Sequence, residues 1–382
     1  QRDYTEQDRE RLAWYIANNC YLVIVTTTDE ESAYRIFSVL NDRGIQLSHA
    51  DILKAEIISQ ISSSESRTEY NNKWVEMEEE LGVDQFKTLF SHIRMIRRKA
   101  KARDTILKEI RTYIDPKKKP EQFIDNELIP YGNAFRDIKT ATFEASKSAD
   151  KINEYLKLLN RLDNEDWIPP AIYVIAQWGD SDTSKVLNLI EKIERLAFGM
   201  HILRNNINDR IERYSRILDA LEKNDFDSLE STLELTETEK ENIKTTLKGD
   251  VYHTKFIRYL LLRIDGELSD SSAVYDHPIL SIEHVLPQNP ANDSEWISKF
   301  PDLDEREELT NSLGNLVLLS TRKNSKARNY DFKKKKEHYF KKGGVSPFTL
   351  TTQVLNYDDW TPESIYERQK NLEQVCANIL NI

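Results

Sequence analysis

Cysteine is nearly absent from this 382-residue sequence, in which Cys20 and Cys376 are the only two. Two cysteines at opposite ends of the chain do not make the disulfide framework of a small secreted domain, nor the paired cysteines of a zinc site. The sequence therefore predicts a protein of a reducing, cytoplasmic compartment.

Long apolar runs are also missing. The longest, such as 22–25 and 171–176, fall far short of the roughly 20 residues that cross a bilayer. With 10 Gly and 11 Pro, the chain is too poor in these residues for a collagen-like or low-complexity architecture. We expect a globular protein without a membrane span.

The chain also has no overall positive charge. It contains 54 Lys and Arg and 65 Asp and Glu, which gives a net charge of −11. This average argues against a nucleic-acid binder held by bulk charge. The charge is unevenly distributed, however: the strip 322–342 holds ten Lys or Arg against Asp331 and Glu337, a local charge of +8. Such a run is often only a solvated lysine-rich face, but the position of this strip next to the candidate site residues described below favours a phosphate-binding surface.

What the sequence does contain is helical periodicity. Apolar residues recur at i, i+3 and i+4 through most of 62–249, which predicts an irregular multi-helical body. Before it, helices are expected at 9–19 and 33–40 and after a capping box at Ser48 and Asp51, with a strand at 21–28. Within the body the expectations are one helix over 86–113 and breaks at Pro116, Pro130, Pro169 and Gly179. The acidic stretch 222–241 is interpreted as a solvated face or connection, with a regulatory acidic element as the alternative.

The last third of the chain has a different pattern. A helix over 255–264, closed by Gly266, leads into two short β-like runs at 282–286 and 316–320. The basic strip follows, and Thr361 as N-cap with Pro362 at the first helical position predicts a final helix. Glu283 and His284 lie at the end of the first run, where a strand end allows both side chains to approach one centre.

Three sequence blocks in this region occur in an informative order: IEHVLPQ at 282–288, GNLVLL at 314–319 and KNSK at 323–326. Together they resemble the HNH (ββα-metal) endonuclease motif, and more specifically the C-terminal nuclease domain of GmrSD-type modification-dependent restriction enzymes. The pattern is also similar to the HNH domain of CRISPR effector nucleases. The resemblance implies a mainly α protein whose multi-helical body carries a small C-terminal ββα-metal (HNH) nuclease domain over 251–382.

A second resemblance lies near the start, where FSVLNDRGIQLS at 37–48 is similar to the end of the ParB-like nucleotide-hydrolysing domain that precedes the nuclease in that family. The Asp-Gly-Gln-Gln-Arg signature of that domain does not occur in this sequence, so nucleotide hydrolysis is not predicted. The implied domains are a remnant of this module at 1–62, a helical middle domain at 63–250 and the nuclease at 251–382.

The HNH resemblance implies a role for each matching residue. His284 would be the general base, Asn315 would position the loop that carries it, and Glu283 with Asn324 would bind one divalent ion, Mg²⁺ or Mn²⁺. Many HNH enzymes have His at the last of these positions and Asp or His at the Glu283 position, so the metal preference is left open. The side chains expected to contact DNA phosphates are Arg322, Lys323, Lys326, Arg328, Lys333 and Lys334.

The function implied by the resemblance is a metal-dependent DNA endonuclease of bacterial anti-phage defence or of restriction of modified DNA. Its partner would be double-stranded DNA, modified or not, and a homo-oligomer or a separate NTPase module is left open. A Glu-His pair alone is more often two solvated surface side chains than a catalytic site, so this hypothesis depends on all three blocks. The alternatives are a non-catalytic DNA-binding or regulatory module with a degenerate HNH fold, and a helical protein-interaction scaffold.

Overall fold

The computed structural model describes residues 5–21, 48–269, 280–320, 329–337 and 347–382. The chain divides into two compact units, Gln1–Leu53 and Lys54–Ile382. The strand expected at 21–28 and the helix expected at 33–40 lie outside the described residues, apart from Tyr21. The predicted domain boundaries stay predictions.

The first unit contains helix α1 (Glu6–Asn19), which confirms the helix expected from the sequence. It begins with a capping box, in which Thr5 accepts from the backbone N–H of Asp8 and Asp8 accepts from that of Thr5. Helix α2 (His49–Ile58) contains the division between the units. The predicted capping box is present there too, because the Asp51 carboxylate accepts from the Ser48 backbone N–H at 2.8 Å.

The second unit is mostly helical, as the periodicity predicts. In chain order its helices before the strands are α3 (Ser64–Leu81), α4 (Val83–Arg98), α5 (Ile106–Tyr113), α6 (Pro120–Phe123), α7 (Ile129–Thr140), α8 (Ala149–Leu159), α9 (Ile168–Trp178), α10 (Thr183–Ile202), α11 (Ile207–Lys223), α12 (Phe226–Leu233), α13 (Glu237–Lys248) and α14 (Ile257–Leu268). Aromatic residues fill its interior: Trp74 packs on Phe86 and Phe90, with ring centroids 5.6 Å apart in both pairs. Farther along, Phe198 of α10 contacts Tyr259 of α14, which joins the helical body to the C-terminal region.

The single helix expected over 86–113 is wrong, because the chain turns between α4 and α5. Lys99 ends α4 in the left-handed region, at a φ of 52°. The buried carboxylate of Glu109 accepts from the backbone N–H groups of Arg103 and Asp104, at 2.7 and 3.1 Å. The buried Glu109 side chain therefore stabilises a turn that apolar periodicity does not reveal.

The acidic segment 222–241 is mostly helical rather than a plain connection, and most of its acidic side chains are exposed, as expected of a solvated face. It begins at the end of α11, and α12 and α13 together span most of the rest. Acidic side chains start both helices: Asp225 caps α12, and Thr236 with Glu239 forms a capping box on α13. Carboxylates stabilise helix N-termini, so a high acidic content is compatible with helices here.

Two expected helix breaks also differ from the structure. Pro130 does not break the helix, because the π-helical turn Ile124–Leu128 leads directly into α7 and the helical path continues through the proline despite its missing N–H. Gly266 does not close α14, which continues to Leu268. Pro130 and Gly266 are both compatible with a helix at their positions. Whether the helix continues there depends on how the neighbouring apolar residues pack.

The C-terminal region contains two strands, the only ones in the part of the chain that is described. Strand β1 (Leu280–His284) pairs antiparallel with β2 (Leu316–Ser320), with His284 opposite Leu316. Between them lie α15 (Glu295–Lys299) and α16 (Leu303–Thr310), and after them come α17 (Phe332–Lys335), α18 (Thr349–Thr352) and α19 (Pro362–Leu380). Thr361 caps α19 as predicted.

A separate apolar cluster supports this region. Trp296, Phe332 and Trp360 are fully or almost fully buried and pack against Val317 and Leu319 of β2. The mainly α class expected from the sequence is confirmed for the described residues. Among them, no helix combines the length and apolar character that crossing a membrane demands.

Candidate active site

His284 is the last residue of β1, and the turn that follows it is held by Asn315. The Asn315 side chain is fully buried, and its Oδ1 accepts from the Leu286 backbone N–H at 2.7 Å and from Trp360 Nε1 at 3.1 Å. Its Nδ2 donates to the carbonyl oxygens of Leu286, at 2.9 Å, and Thr310, at 2.8 Å. All four hydrogen-bonding positions of the amide are used, so the chain directly after His284 is rigidly placed.

Side chains of helix α19 fix the backbone at Gly314 and Asn315 through hydrogen bonds. The buried Arg368 guanidinium donates to the carbonyl oxygens of Gly314, at 2.6 Å, and Leu316, at 3.1 Å. Gly314 itself has no room for a side chain, because an added Cβ would lie 2.4 Å from the Ile365 carbonyl oxygen. The glycine of the GNLVLL block is thus explained by close packing of α19.

The His284 imidazole contacts two side chains that the sequence did not single out. Its Nε2 lies 3.2 Å from Asn311 Oδ1, and its ring packs edge-on against Tyr252 with centroids 4.2 Å apart. Burial lowers the pKa of His284 to about 4, against an opposing hydrogen bond with Asn311. The imidazole is therefore neutral at pH 7 and able to accept a proton.

Asn311 belongs to a short polar chain. Its Nδ2 donates to Asp250 Oδ2 at 3.2 Å, and the same carboxylate oxygen lies 2.7 Å from His253 Nδ1. Gln288 Nε2 lies 3.4 Å from Asn311 Oδ1. The only sequence signal for Asn311 is its position just before the GNLVLL block, since no periodicity or motif connects it with Asp250.

Glu283 has a different environment from its neighbour. Its Oε1 accepts from Lys335 Nζ at 2.8 Å, and the same ammonium donates to the His284 carbonyl oxygen at 2.7 Å. Lys335 lies on α17 and is 2 % exposed. Burial raises the pKa of Glu283 and lowers that of Lys335, and the direct ion pair opposes both shifts. Each residue is thus the partner that makes burial of the other tolerable.

The described side chains provide only some of the ligands that a divalent ion needs. The described residues contain no group of three or more His, Cys, Asp or Glu suited to a metal. Glu283 supplies one carboxylate, but the Lys335 ammonium already neutralises it. Asn324, the other expected ligand, lies outside the described residues. An ion at Glu283 would therefore have to displace Lys335 or share the carboxylate with it.

The basic strip is less uniform than its composition indicates. Lys333 and Lys334 are exposed on α17, Lys335 is buried against Glu283, and Lys336 donates to the Tyr357 carbonyl oxygen. The charge of Lys335 is therefore not available at the surface. The other expected DNA contacts, Arg322, Lys323, Lys326 and Arg328, lie outside the described residues.

Comparison with known proteins bears on this region directly. Residues 237–375 match the family model of GmrSD restriction endonucleases, C-terminal domain. The matched stretch is just over a third of the chain and includes Glu283, His284 and Asn315. The match supports a restriction-endonuclease family for this part of the chain, and it does not extend to the segment that resembles a ParB-like domain. No curated protein matches the sequence.

Proposed function

We propose that the protein is a DNA endonuclease of the HNH type, in which His284 is the general base. The observation that carries this proposal is the position of His284. It ends β1 in an antiparallel β pair, and the buried amide of Asn315 fixes the following turn. This arrangement lies inside the stretch that matches a restriction-endonuclease family.

The imidazole is held in place and neutral at pH 7, and its lowered pKa makes it a weaker base than a solvent-exposed histidine. His284 would accept a proton from a water molecule, whose oxygen attacks the phosphorus of a DNA phosphodiester. The bond between phosphorus and the leaving sugar oxygen breaks, and that oxygen takes a proton from solvent. A positioned base of this kind contributes about 10²- to 10⁴-fold to the rate.

The cofactor of this reaction would be one divalent ion, Mg²⁺ or Mn²⁺, held by Glu283 and Asn324. Both provide oxygen ligands, which hard cations prefer. When bound, the ion would stabilise charge on the phosphate and the leaving oxygen. Lys335 would have to release at least part of its contact with Glu283.

The proposed substrate is double-stranded DNA, with restriction of modified DNA or defence against phage as the setting. Lys333 and Lys334 are exposed residues on the helix that also carries Lys335, and Lys334 Nζ lies 3.6 Å from the centroid of the Tyr330 ring. For each DNA phosphate that a lysine neutralises, the binding constant falls by a factor of about 8 when the salt concentration rises tenfold, which is a slope of about −0.9 in a plot of log K against log salt concentration. We therefore expect DNA binding that weakens steeply as the salt concentration rises.

Plasmid cleavage tests the proposal. The chain is incubated with supercoiled DNA and Mg²⁺ or Mn²⁺, and compared with His284→Ala and with the control His201→Ala on α10, outside the matched stretch. We expect nicked or linear product from the wild type and the control, and at least about 100-fold less from His284→Ala. Equal cleavage by all three proteins, or none with either metal, contradicts catalysis at this site.

A second candidate function is a non-catalytic DNA-binding module with a degenerate HNH fold. The ion pair between Lys335 and Glu283 favours it, because a resident ammonium takes the place of a metal ion at the carboxylate. Calorimetric titration with Mn²⁺ distinguishes the two functions. Salt-sensitive DNA binding without Mn²⁺ binding supports the module, whereas Mn²⁺ binding that Glu283→Gln abolishes supports the nuclease.

A further inference from the structure

We propose that Asn311 is a positioning residue that keeps the proton of the neutral His284 imidazole on Nε2 and leaves Nδ1 as the only proton acceptor. This inference rests on the proposed function for its consequence in catalysis. The tautomer itself is a property of the folded protein and is measurable without any cleavage.

The direction of the hydrogen bonds follows from Asp250. An ionised carboxylate only accepts hydrogen bonds, so the Asn311 group 3.2 Å from Asp250 Oδ2 must be the NH₂. Burial raises the pKa of Asp250, but hydrogen bonds from His253 and Asn311 among others outweigh it and hold that pKa below its ordinary value. Asp250 is therefore ionised at neutral pH, and the amide of Asn311 has one orientation.

The orientation of Asn311 then determines the tautomer of His284. With Nδ2 turned to Asp250, the amide presents Oδ1 to His284 Nε2 at 3.2 Å. An amide oxygen only accepts, so Nε2 must carry the proton and donate it. Gln288 Nε2 approaches the same oxygen at 3.4 Å and is also a donor. The lone pair of the neutral imidazole therefore resides on Nδ1.

Backbone contacts keep this chain of groups in place. The Asn311 carbonyl oxygen accepts from the backbone N–H groups of Val251 and Tyr252, at 3.3 and 3.4 Å. Tyr252 also packs its ring against His284. Both the backbone and the side chain of Asn311 are therefore hydrogen-bonded to the segment 250–252. These bonds fix the donor and acceptor atoms around His284 before substrate binds.

Nitrogen NMR of the histidine side chains tests the tautomer. In ¹⁵N-histidine-labelled full chain at pH 7.5, long-range ¹H–¹⁵N correlations distinguish protonated from unprotonated ring nitrogens, and His284→Ala assigns the signal. We expect a protonated Nε2 in the wild type and a mixture of tautomers in Asn311→Leu, whose side chain branches in the same way but has no acceptor. The control Asn208→Leu, on the exposed face of α11, keeps the wild-type signal.

A reciprocal exchange separates hydrogen-bond direction from general structural damage. In the double variant Asp250→Asn, Asn311→Asp, the new amide donates to the new carboxylate, which accepts from Nε2 as before. We expect this variant to restore the Nε2–H signal, and to restore kcat that Asn311→Leu lowers by about 10- to 100-fold at unchanged KM. A wild-type Nε2–H signal in Asn311→Leu, or no restoration in the exchange variant, overturns the inference. Absence of cleavage by the wild type, with the expected NMR result, contradicts the proposed function alone.

Discussion

At the scale of single residues, the candidate site contains the buried ammonium of Lys335, which the sequence does not distinguish from the surface lysines next to it. Lys335 lies in a run of four lysines, but its ammonium is buried between the Glu283 carboxylate and the His284 carbonyl oxygen. Its neighbours Lys333 and Lys334 are exposed, and the ammonium of Lys334 lies over the Tyr330 ring. Two roles thus occur within one basic run: phosphate contact is proposed for the exposed lysines, and charge compensation of Glu283 is observed for the buried one.

Removal of this buried ammonium is expected to strengthen metal binding. In Lys335→Met the carboxylate of Glu283 loses its cation, and a divalent ion no longer meets a like charge; at 4 Å such a repulsion amounts to about 4 kcal/mol per pair of unit charges at an effective dielectric constant of 20. We expect Mn²⁺ to bind at least about tenfold more tightly by calorimetry. Lys333→Met, on the exposed face of α17, is the control. Unchanged or weaker Mn²⁺ binding by Lys335→Met would show that Lys335 does not compete for the site.

At the scale of elements, helix α19 determines the geometry of the loop that supports His284. It contributes Arg368, which donates to several backbone carbonyl oxygens, and Gln369, whose Oε1 accepts from the Gly314 N–H at 2.6 Å. The helix is remote in sequence from β1. Its capping residues and apolar face are recognisable in the sequence, but its contact with the Gly314-Asn315 turn is not.

The close approach of α19 predicts that Gly314→Ala destabilises the protein. The new Cβ would lie 2.4 Å from the Ile365 carbonyl oxygen and 3.1 Å from the Gln369 backbone nitrogen, so the helix must move. We expect a loss of about 1–3 kcal/mol in the free energy of unfolding, measured by urea denaturation. Gly266→Ala on α14 is the matched control, because its Cβ would contact nothing within 4 Å. That substitution should stabilise the helix by about 0.5–1 kcal/mol. Equal effects of the two substitutions would contradict the packing argument.

At the scale of the whole molecule, burial of uncharged histidines makes stability depend on pH. His92 packs against Phe135 in the helical body, and His284 lies in the candidate site. Burial lowers the pKa of each to about 4. An unfolded histidine titrates near a pKa of about 6.5. Between these values the unfolded chain binds more protons than the folded one, so this contribution to stability is present above about pH 6.5 and is lost as the pH falls toward 4.

This pH dependence is testable at His92. We expect wild-type protein to lose more unfolding free energy between pH 7 and pH 4.5 than His92→Leu does, by roughly 2–3 kcal/mol. Urea denaturation at the two pH values measures the difference. Burial raises the pKa of Asp265 to about 6, so its contribution to the free energy of unfolding increases as the pH falls. This contribution is the same in wild type and His92→Leu and cancels when the two proteins are compared. Asn208→Leu serves as the non-titrating control. Parallel pH profiles for wild type and His92→Leu would contradict the prediction.

The sequence by itself determined the mainly helical class, the two short strands, the caps of α2 and α19, and the blocks that resemble an HNH nuclease. These features are local: periodicity, capping chemistry and motif order depend on residues close together in the chain. Tertiary structure decided the turn between α4 and α5, the burial of Lys335, and the partners of His284. Glu109, Asn311 and Asp250 act through contacts between residues that are distant in sequence or that fit no periodic pattern. Such contacts depend on how the elements pack, because a polar side chain carries no local sign of the partner that will satisfy it when buried.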